Sequence, residues 1–252
     1  MKRLTPSFRE KIWGTTQLEP WFPNPDNKVG EVWFEGEEDS PLLVKFLFTS
    51  DKLSVQVHQP GKTEMWYVLA AEPGARIAAG FREPVTRDRL KEASLSGYVE
   101  DLLQWFDAAP GDTFFLPAGT VHAIGPGLTL CEIQQNSDIT YRLYDYGRPR
   151  ELHLDRALAV CHLGPHAALQ QPRGGVLVSC EYFVTEHLRL DDSAIQLLAS
   201  ERNQFLVVIE GPGRIEGQPM KAGEVWSLPA STSPVELGGT AQLLRVCAPF
   251  RR

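Results

Sequence analysis

Four side chains with metal-binding atoms stand at spacings that a β structure would bring together. Gln56 and His58 alternate within the strand-like segment LSVQVH, so they project from one face of the predicted strand. Glu64 enters the next predicted strand after the Pro60-Gly61 turn, and His122 lies further along the chain. Amide, imidazole and carboxylate donors suit a divalent ion and leave positions for water or substrate. We expect one Zn²⁺ per chain here, or another divalent transition metal.

Glycine and proline residues frame His122. Gly111 turns the chain into a strand, Pro117 and Gly119 end that strand, and His122 follows in the next one. This pattern predicts that the imidazole of His122 points into a barrel. A lone histidine in a β protein is usually a core or surface residue, and four histidines are interpreted in that way: His153, His162, His166 and His187.

Composition narrows the range of partners. With 252 residues and 42% apolar side chains, the chain can bury the core of one large β domain or of two smaller ones. The net charge of −7 and the pI near 5.4 provide no basic field for a phosphodiester backbone, so we expect no nucleic-acid partner. We also expect no membrane contact and a cytoplasmic location, because no apolar segment is long enough to span a bilayer. Four widely spaced cysteines predict free thiols rather than a disulfide framework.

Short strand-like runs with Gly and Pro between them favour a mainly β fold, either a sandwich or a barrel. The best helical stretch is residues 86–107, with a break at Ser96-Gly97, and it predicts one or two helices inserted between strands. A second short helix is predicted at residues 151–160. Pro and Gly residues after it indicate a linker.

A weak internal repeat suggests two related β units. The segment PGDTFFLPAGTVHAI at 110–124 resembles AGEVWSLPASTSPVE at 222–236. The same alignment sets Pro234 opposite His122 and Asn203 opposite Glu64, so the second unit keeps the scaffold and loses the candidate ligands. We therefore predict a metal-binding catalytic domain at 1–160, a linker at 161–175 and a degenerate β domain at 176–252.

Several longer strings resemble those of one enzyme family. They are KIWG (11–14), GEVW (30–33), LSVQVH (53–58), GKTEMWYVL (61–69), PAGTVHAIG (117–125) and EIQQNSDITYRLYDYGRPRELHLDRAL (132–158). Together they are similar to the type I mannose-6-phosphate isomerases, in the compact bacterial form, of the cupin superfamily. The resemblance covers about the first 160 residues and is weak beyond them. It implies a cupin-type β-barrel or jelly roll with inserted helices, followed by a second, degenerate cupin-like unit.

The resemblance also implies an activity and a set of roles. The activity is that of a zinc-dependent aldose–ketose isomerase, which interconverts mannose 6-phosphate and fructose 6-phosphate through a cis-enediol. The implied residues are the zinc ligands Gln56, His58, Glu64 and His122, the catalytic residues Lys62, Glu132 and Arg142, and the phosphate contacts Ser54 and Arg148. Either Glu132 or Lys62 could shuttle the proton, and we favour Glu132. Arg142 is not a suitable base because its guanidinium stays protonated.

Two other functions stay open at this point. Cupins also bind Fe²⁺ for dioxygen chemistry, although such sites usually contain more imidazoles than this one and give Lys62, Glu132 and Arg142 no role. A non-catalytic sugar-phosphate sensor would keep the pocket and lack turnover. The expected partner of the isomerase is a small hexose 6-phosphate, and the chain could be a monomer or a homodimer.

Overall fold

The computed structural model describes residues 1–36 and 40–248 of the chain. The protein is mainly β, with 47% strand and 9% helix, which confirms the predicted fold class. None of the helices in these ranges is long and apolar enough to cross a membrane. All four cysteines are free thiols. Residues 249–252, the end of the predicted second unit, lie outside the described residues.

The first part of the chain, up to residue 144, forms two antiparallel sheets from all of its described strands except the first. Its strands are β1 (Lys2–Arg3), β2 (Ser7–Thr15), β3 (Val29–Phe34), β4 (Leu42–Thr49), β5 (Val55–Val57), β6 (Glu64–Ala71), β7 (Arg76–Phe81), β8 (Leu103–Asp107), β9 (Thr113–Leu116), β10 (His122–Ile124), β11 (Leu128–Gln135) and β12 (Tyr141–Tyr144). One sheet has six strands in the order β2-β3-β4-β11-β6-β9, and the other has five in the order β12-β5-β10-β7-β8. Apolar side chains from both sheets, such as Trp66 and Ile77, share one buried cluster, so the sheets enclose a common interior.

The last part of the chain forms a third sheet. Its strands are β13 (Val176–Ser179), β14 (Val184–Asp191), β15 (Ile195–Leu197), β16 (Gln204–Glu210), β17 (Pro212–Ile215), β18 (Gln218–Lys221), β19 (Val225–Leu228) and β20 (Val235–Cys247). The N-terminal strand β1 joins this sheet beside β19, and the main path runs β1-β19-β16-β20-β14-β13. The N-terminal strand β1 and the last described strand β20 therefore belong to one sheet.

The six-stranded sheet is covered on both faces. Along β4 and β11 the side chains alternate, so that Phe46 and Ile133 pack against residues of the third sheet such as Val207. Lys45 directly precedes Phe46 and Glu132 directly precedes Ile133, so both polar side chains point to the opposite face. The apolar side chains of β4 and β11 thus pack against the third sheet, and the polar side chains between them face the interior that the first two sheets enclose.

The predicted helical stretch is only partly helical. Helix α1 spans Arg87–Ser96, with Thr86 capping its first turn and Gly97 ending it in the left-handed conformation, as the predicted break requires. Helix α2 is a single turn, Val99–Leu102, and residues 103–107 form β8 instead of a helix. The helix prediction is wrong there because LQWFD is extended and pairs with β7. Helix α3 spans Leu154–Val160, inside the second predicted helix.

The internal repeat is visible in strand pairing, with a correction to its alignment. Glu64 pairs with Leu116, and Gln204 pairs with Leu228 at the corresponding place in the third sheet. Gln204, rather than Asn203, is therefore the equivalent of Glu64, because the alignment slipped by one residue. Residues 161–175 contain no helix or named strand. The division of the chain into domains stays a prediction.

Candidate active site

Gln56 and His122 are cross-strand neighbours in the five-stranded sheet. Strand β5 lies between β10 and β12, so Gln56 is opposite His122 on one side and opposite Arg142 on the other. His58 follows directly after β5, two residues beyond Gln56, and Glu64 begins β6 in the six-stranded sheet. The fold thus brings the four predicted ligands together from three separate strands.

The side chains of His58, Glu64 and His122 form a compact buried cluster. One potential ligand atom from each lies within 4.8 Å of the others. The Nε2 atom of His58 is 3.3 Å from Oε2 of Glu64, and Nε2 of His122 is 3.6 Å from Oε1 of the same carboxylate. The amide nitrogen of Gln56 is 3.2 Å from Nε2 of His122. The ligand atoms converge on one small volume, as binding of a single cation requires.

Backbone carbonyls orient both imidazoles through their Nδ1 atoms. Nδ1 of His58 donates to the carbonyl oxygen of Ile139 over 3.1 Å, and Nδ1 of His122 donates to that of Thr120 over 2.9 Å. We assign the ring protons to Nδ1 because a carbonyl oxygen can only accept. The lone pairs on Nε2 then face Glu64, which is the orientation seen for metal-binding histidines.

Glu64 is a buried carboxylate that lacks hydrogen-bond donors. It is 1% exposed, and neither oxygen accepts a hydrogen bond from a residue in the described ranges. Burial alone would raise the pKa of Glu64, but attraction to His58 and Lys62 outweighs burial and lowers it. Burial lowers the pKa of His122 to about 3, so this imidazole is neutral at pH 7. Lys62 lies 3.6 Å from this carboxylate but donates no hydrogen bond to it, so both oxygens and the neutral imidazole keep lone pairs for a divalent metal ion, which these residues fit.

Ser54 fixes the amide of Gln56. The buried Ser54 hydroxyl donates to Oε1 of Gln56 over 3.0 Å. Turning the amide over would keep this contact, because a hydroxyl can also accept, and would aim Oε1 at the imidazole of His122. Ser54 can therefore hold Gln56 with its oxygen directed toward the cation site.

Glu132 lies in a row of side chains that runs across the six-stranded sheet. Its partners in register are Lys45 on β4 and Trp66 on β6. Nζ of Lys45 donates to Oε1 of Glu132 over 2.9 Å, and Nε1 of Trp66 donates to Oε2 over 2.8 Å. Both oxygens of the predicted base are thus held in place by donors from neighbouring strands.

Sequence reasoning missed Lys45. It is 4% exposed, donates also to Oε1 of Gln134, and lies 4.6 Å from the ring centre of Trp33. Burial alone would lower the pKa of Lys45, but the carboxylates of Glu132 and Glu31 outweigh it and raise the pKa. The available signal was a single charged residue inside the apolar run PLLVKFLF, since a buried lysine requires an acidic partner.

Lys62 approaches the cluster from the turn before β6. Its Nζ is 3.0 Å from Nε2 of His58 and 3.6 Å from Oε2 of Glu64, and the side chain is 5% exposed. Burial lowers the pKa of Lys62 despite the nearby carboxylates. The lysine is therefore the nearest cationic group to the predicted metal ligands among the described side chains.

A cavity of about 240 Å³ lies between the six-stranded and the five-stranded sheet. Five predicted residues line it, namely Ser54, Gln56, Lys62, Glu132 and Arg142. Lys62 contacts His58, and Gln56 contacts His122, so these two side chains link the cavity to the buried cluster. Four larger clefts among the described residues, of about 730, 660, 510 and 390 Å³, contain none of the predicted site residues. The cavity beside the cluster is accordingly the candidate active site.

Known proteins resemble the whole chain. The mannose-6-phosphate isomerase ManA of Bacillus subtilis is 32% identical over 307 residues, covering 95% of this chain and 96% of that protein. The chain belongs to the mannose-6-phosphate isomerase family. A family model described as the cupin domain of mannose-6-phosphate isomerase matches residues 175–248, where the sequence motifs are weak.

Solved structures of the mannose-6-phosphate isomerase family share the fold. The crystal structure of the Bacillus subtilis enzyme superposes with a TM-score of 0.85 at 28% identity, covering 97% of this chain and 98% of that chain. A zinc-bound mannose 6-phosphate isomerase has a TM-score of 0.79 at 18% identity, covering 98% of this chain and 99% of that one. At that lower identity the likeness concerns the fold alone.

One residue assigned from the mannose-6-phosphate isomerase motifs lies away from the cavity. Arg148 does not line it, and its guanidinium donates to Asp51 over 2.5 Å and to the carbonyl oxygen of Lys52 over 2.7 Å. Arg150, which the motif analysis did not select, lines the cavity together with Arg142. The structure thus brings eight of the nine predicted residues to the cavity or the buried cluster, and Arg148 points elsewhere.

Proposed function

We propose that this protein is a zinc-dependent aldose–ketose isomerase that interconverts mannose 6-phosphate and fructose 6-phosphate. The observation that carries the proposal is the convergence of two oriented imidazoles with the buried Glu64 carboxylate, which accepts no hydrogen bond from a described residue, beside a cavity lined by Lys62, Glu132 and Arg142. Membership of the mannose-6-phosphate isomerase family supports the same substrates. We place the enzyme in the cytoplasm, as a monomer or a homodimer, with a small hexose 6-phosphate as its partner.

The zinc ligands in this proposal are Gln56, His58, Glu64 and His122. The donor set of one amide, two imidazoles and one carboxylate suits Zn²⁺, and another divalent transition metal could replace it. A bound zinc ion would supply Lewis-acid stabilisation for negative charge on a sugar oxygen.

Glu132 is the base that we favour. A carboxylate has about four lone-pair sites, so the bonds from Lys45 and Trp66 leave acceptor capacity toward the cavity. The two donors fix the orientation of the carboxylate, and Glu132 would then move a proton between C1 and C2 of the sugar. Lys62 is the alternative base, because it is buried and lines the same cavity.

Arg142 would hold an anionic oxygen of the enediolate or of the phosphate. Its guanidinium lines the cavity, and Nε is buried without a hydrogen-bond partner within the part of the chain that the structure describes. A planar guanidinium that stays charged is well suited to bind such an oxygen. Ser54 would act mainly through Gln56, because its hydroxyl would accept from the amide nitrogen when Oε1 is directed toward the cation. A phosphate contact by Arg148 stays a prediction.

Solvent exchange tests the proposed reaction. The zinc-loaded protein is incubated with mannose 6-phosphate in deuterated water, and the products are followed by NMR. An enediol path predicts fructose 6-phosphate with deuterium at C1. Binding without product or exchange would instead indicate a sensor, and iron content with oxygen uptake would indicate an oxygenase.

A further inference from the structure

We propose that Arg150, held by the buried carboxylate of Asp145, anchors the phosphate group of the substrate in the active-site cavity. The proposal rests on the function proposed above and assigns the anionic end of the substrate to a residue that the sequence motifs did not select. Asp145 is a positioning residue in this scheme, because it acts through Arg150.

The Asp145–Arg150 pair has a two-pronged geometry. Nε of Arg150 donates to Oδ2 of Asp145, and Nη2 donates to Oδ1, each over 2.6 Å. The Asp145 side chain is 2% exposed and that of Arg150 is 27% exposed. A guanidinium has five N–H donors, and Asp145 takes two of them, so three are left for a ligand. The buried acid fixes the plane of the guanidinium, and the accessible part of Arg150 lines the cavity.

Arg142 provides a second guanidinium on the same cavity wall. Its Nε is buried and has no partner in the described part of the chain. Arg142 and Arg150 line the same cavity, and burial together with the charge of Arg150 lowers the pKa of Arg142. Two neighbouring guanidinium groups with unused donors match the several oxygens of one phosphate group.

The charges around the cavity favour an anion. Five basic and three acidic side chains line it. Two of the acids pair with two of the lysines, since Glu132 accepts from Lys45 and Glu31 lies 3.3 Å from Nζ of Lys11. The lining residues outside these pairs are Lys62, Arg142 and Arg150 against the single acid Asp138. The cavity is therefore a positive region in a chain whose net charge is −7.

Arg148 is directed away from this region by the local backbone. Tyr146 and Gly147 have φ angles of 55° and 73°, and the amide of Arg148 donates to the carbonyl oxygen of Asp145 in a tight turn. The guanidinium of Arg148 then binds Asp51 and lies 5.4 Å from the ring centre of Tyr146. Its Nη1 is 3.4 Å from Oδ1 of Asp145, a longer contact than the two bonds of 2.6 Å from Arg150. The turn thus directs Arg148 away from the cavity and allows Arg150 to reach it.

Steady-state kinetics of arginine variants test the proposal. Zinc-loaded Arg150→Ala should raise KM for mannose 6-phosphate by about tenfold or more, with a smaller change in kcat, because a charge-assisted contact to the phosphate is lost. Arg150→Lys should restore only part of the affinity, since an ammonium lacks the planar fork. Arg148→Ala should raise KM less than Arg150→Ala. The reverse order, or an unchanged KM in Arg150→Ala, would overturn the proposal.

Asp145→Asn tests the positioning role. It should raise KM in the same direction as Arg150→Ala while the zinc content stays unchanged, and it should add little in the double variant with Arg150→Ala. A full additional increase in the double variant would show that Asp145 acts independently. Arg89→Ala, which removes an exposed charge paired with Glu83, is the matched control and should leave KM unchanged.

Inorganic phosphate separates this proposal from the proposed function. Its affinity for the zinc-loaded protein is measured by calorimetry in the unmodified chain and in Arg150→Ala. A fall of about tenfold in the variant supports the anchor even if no isomerisation occurs, in which case the proposed function fails alone. Equal affinities would overturn the anchor even if the chain isomerises mannose 6-phosphate.

Discussion

Lys45 and Glu132 lie directly opposite each other on β4 and β11, with Nζ of the lysine 2.9 Å from Oε1 of the glutamate. Their side chains are 5% and 6% exposed, so the pair is almost completely removed from water. Each is flanked along its strand by apolar residues that pack on the third sheet, for example Phe46 beside Lys45. The position of the proposed base is therefore coupled to the core behind it.

Replacing Lys45 with Met should destabilise the protein by about 3 to 5 kcal/mol, because it leaves the Glu132 carboxylate buried without its counter-charge. Urea denaturation measures the change. The double variant Lys45→Met/Glu132→Gln should lose less stability than the two single variants combined. Lys91→Ala breaks an exposed pair with Asp155 and should change stability by less than about 0.5 kcal/mol. Equal losses for the Lys45 and Lys91 variants would refute the structural role of the buried pair.

Replacing His122 with Ala should abolish zinc binding and activity together, because it removes one of the ligands around Glu64. Metal analysis after dialysis gives the zinc content per chain. His187→Ala is a suitable control, since His187 lies on β14 of the third sheet and contacts the ring of Tyr67 rather than the cluster. Retention of stoichiometric zinc in His122→Ala would exclude this imidazole as a ligand.

Replacing Glu132 with Gln should retain zinc and lower kcat by about 100-fold or more, because the neutral amide cannot accept the proton. The rate is measured with saturating mannose 6-phosphate, and circular dichroism controls for the loss of the contact to Lys45. A fully active Glu132→Gln variant would transfer the role of base to Lys62.

Replacing Phe46 with Ala should cost about 3 to 5 kcal/mol of stability, because its ring is fully buried in the core shared by two sheets. The ring lies 5.3 Å from that of Phe22 and 6.0 Å from that of Phe34. Phe8→Ala removes a ring that is 46% exposed and should cost roughly 1 kcal/mol. Thermal unfolding compares the two variants. A cost for Phe46→Ala as small as that for Phe8→Ala would show that the two sheets are not packed as described.

Local periodicity made much of the site predictable. Gln56 and His58 share a face because residues in an extended chain alternate, and the turn before Glu64 returns the chain to the same interior. The mainly β fold followed from the same alternation. Residues 103–107 were misassigned because a short segment with mixed apolar and polar residues is compatible with both a helix and a strand.

The remaining residues depended on long-range pairing or on backbone irregularity. Lys45 joins the site only because β4 pairs with β11, and that pairing is not encoded in either strand alone. Arg148 was assigned from its motif position six residues after Arg142, but the left-handed residues Tyr146 and Gly147 turn the chain after β12, and Arg150 rather than Arg148 lines the cavity. The alternation of side chains predicts which residues share a face within a strand, but it gives no such prediction in the turn or loop that follows.

The most direct test of zinc-dependent isomerase activity is to titrate zinc into protein from which the metal has been removed with a chelator. The rate of conversion of mannose 6-phosphate to fructose 6-phosphate is measured as zinc is returned to the metal-free chain. We predict no activity without metal and a linear recovery that saturates at one zinc ion per chain. Full activity in the metal-free protein, or saturation with zinc without any conversion, would contradict the assignment.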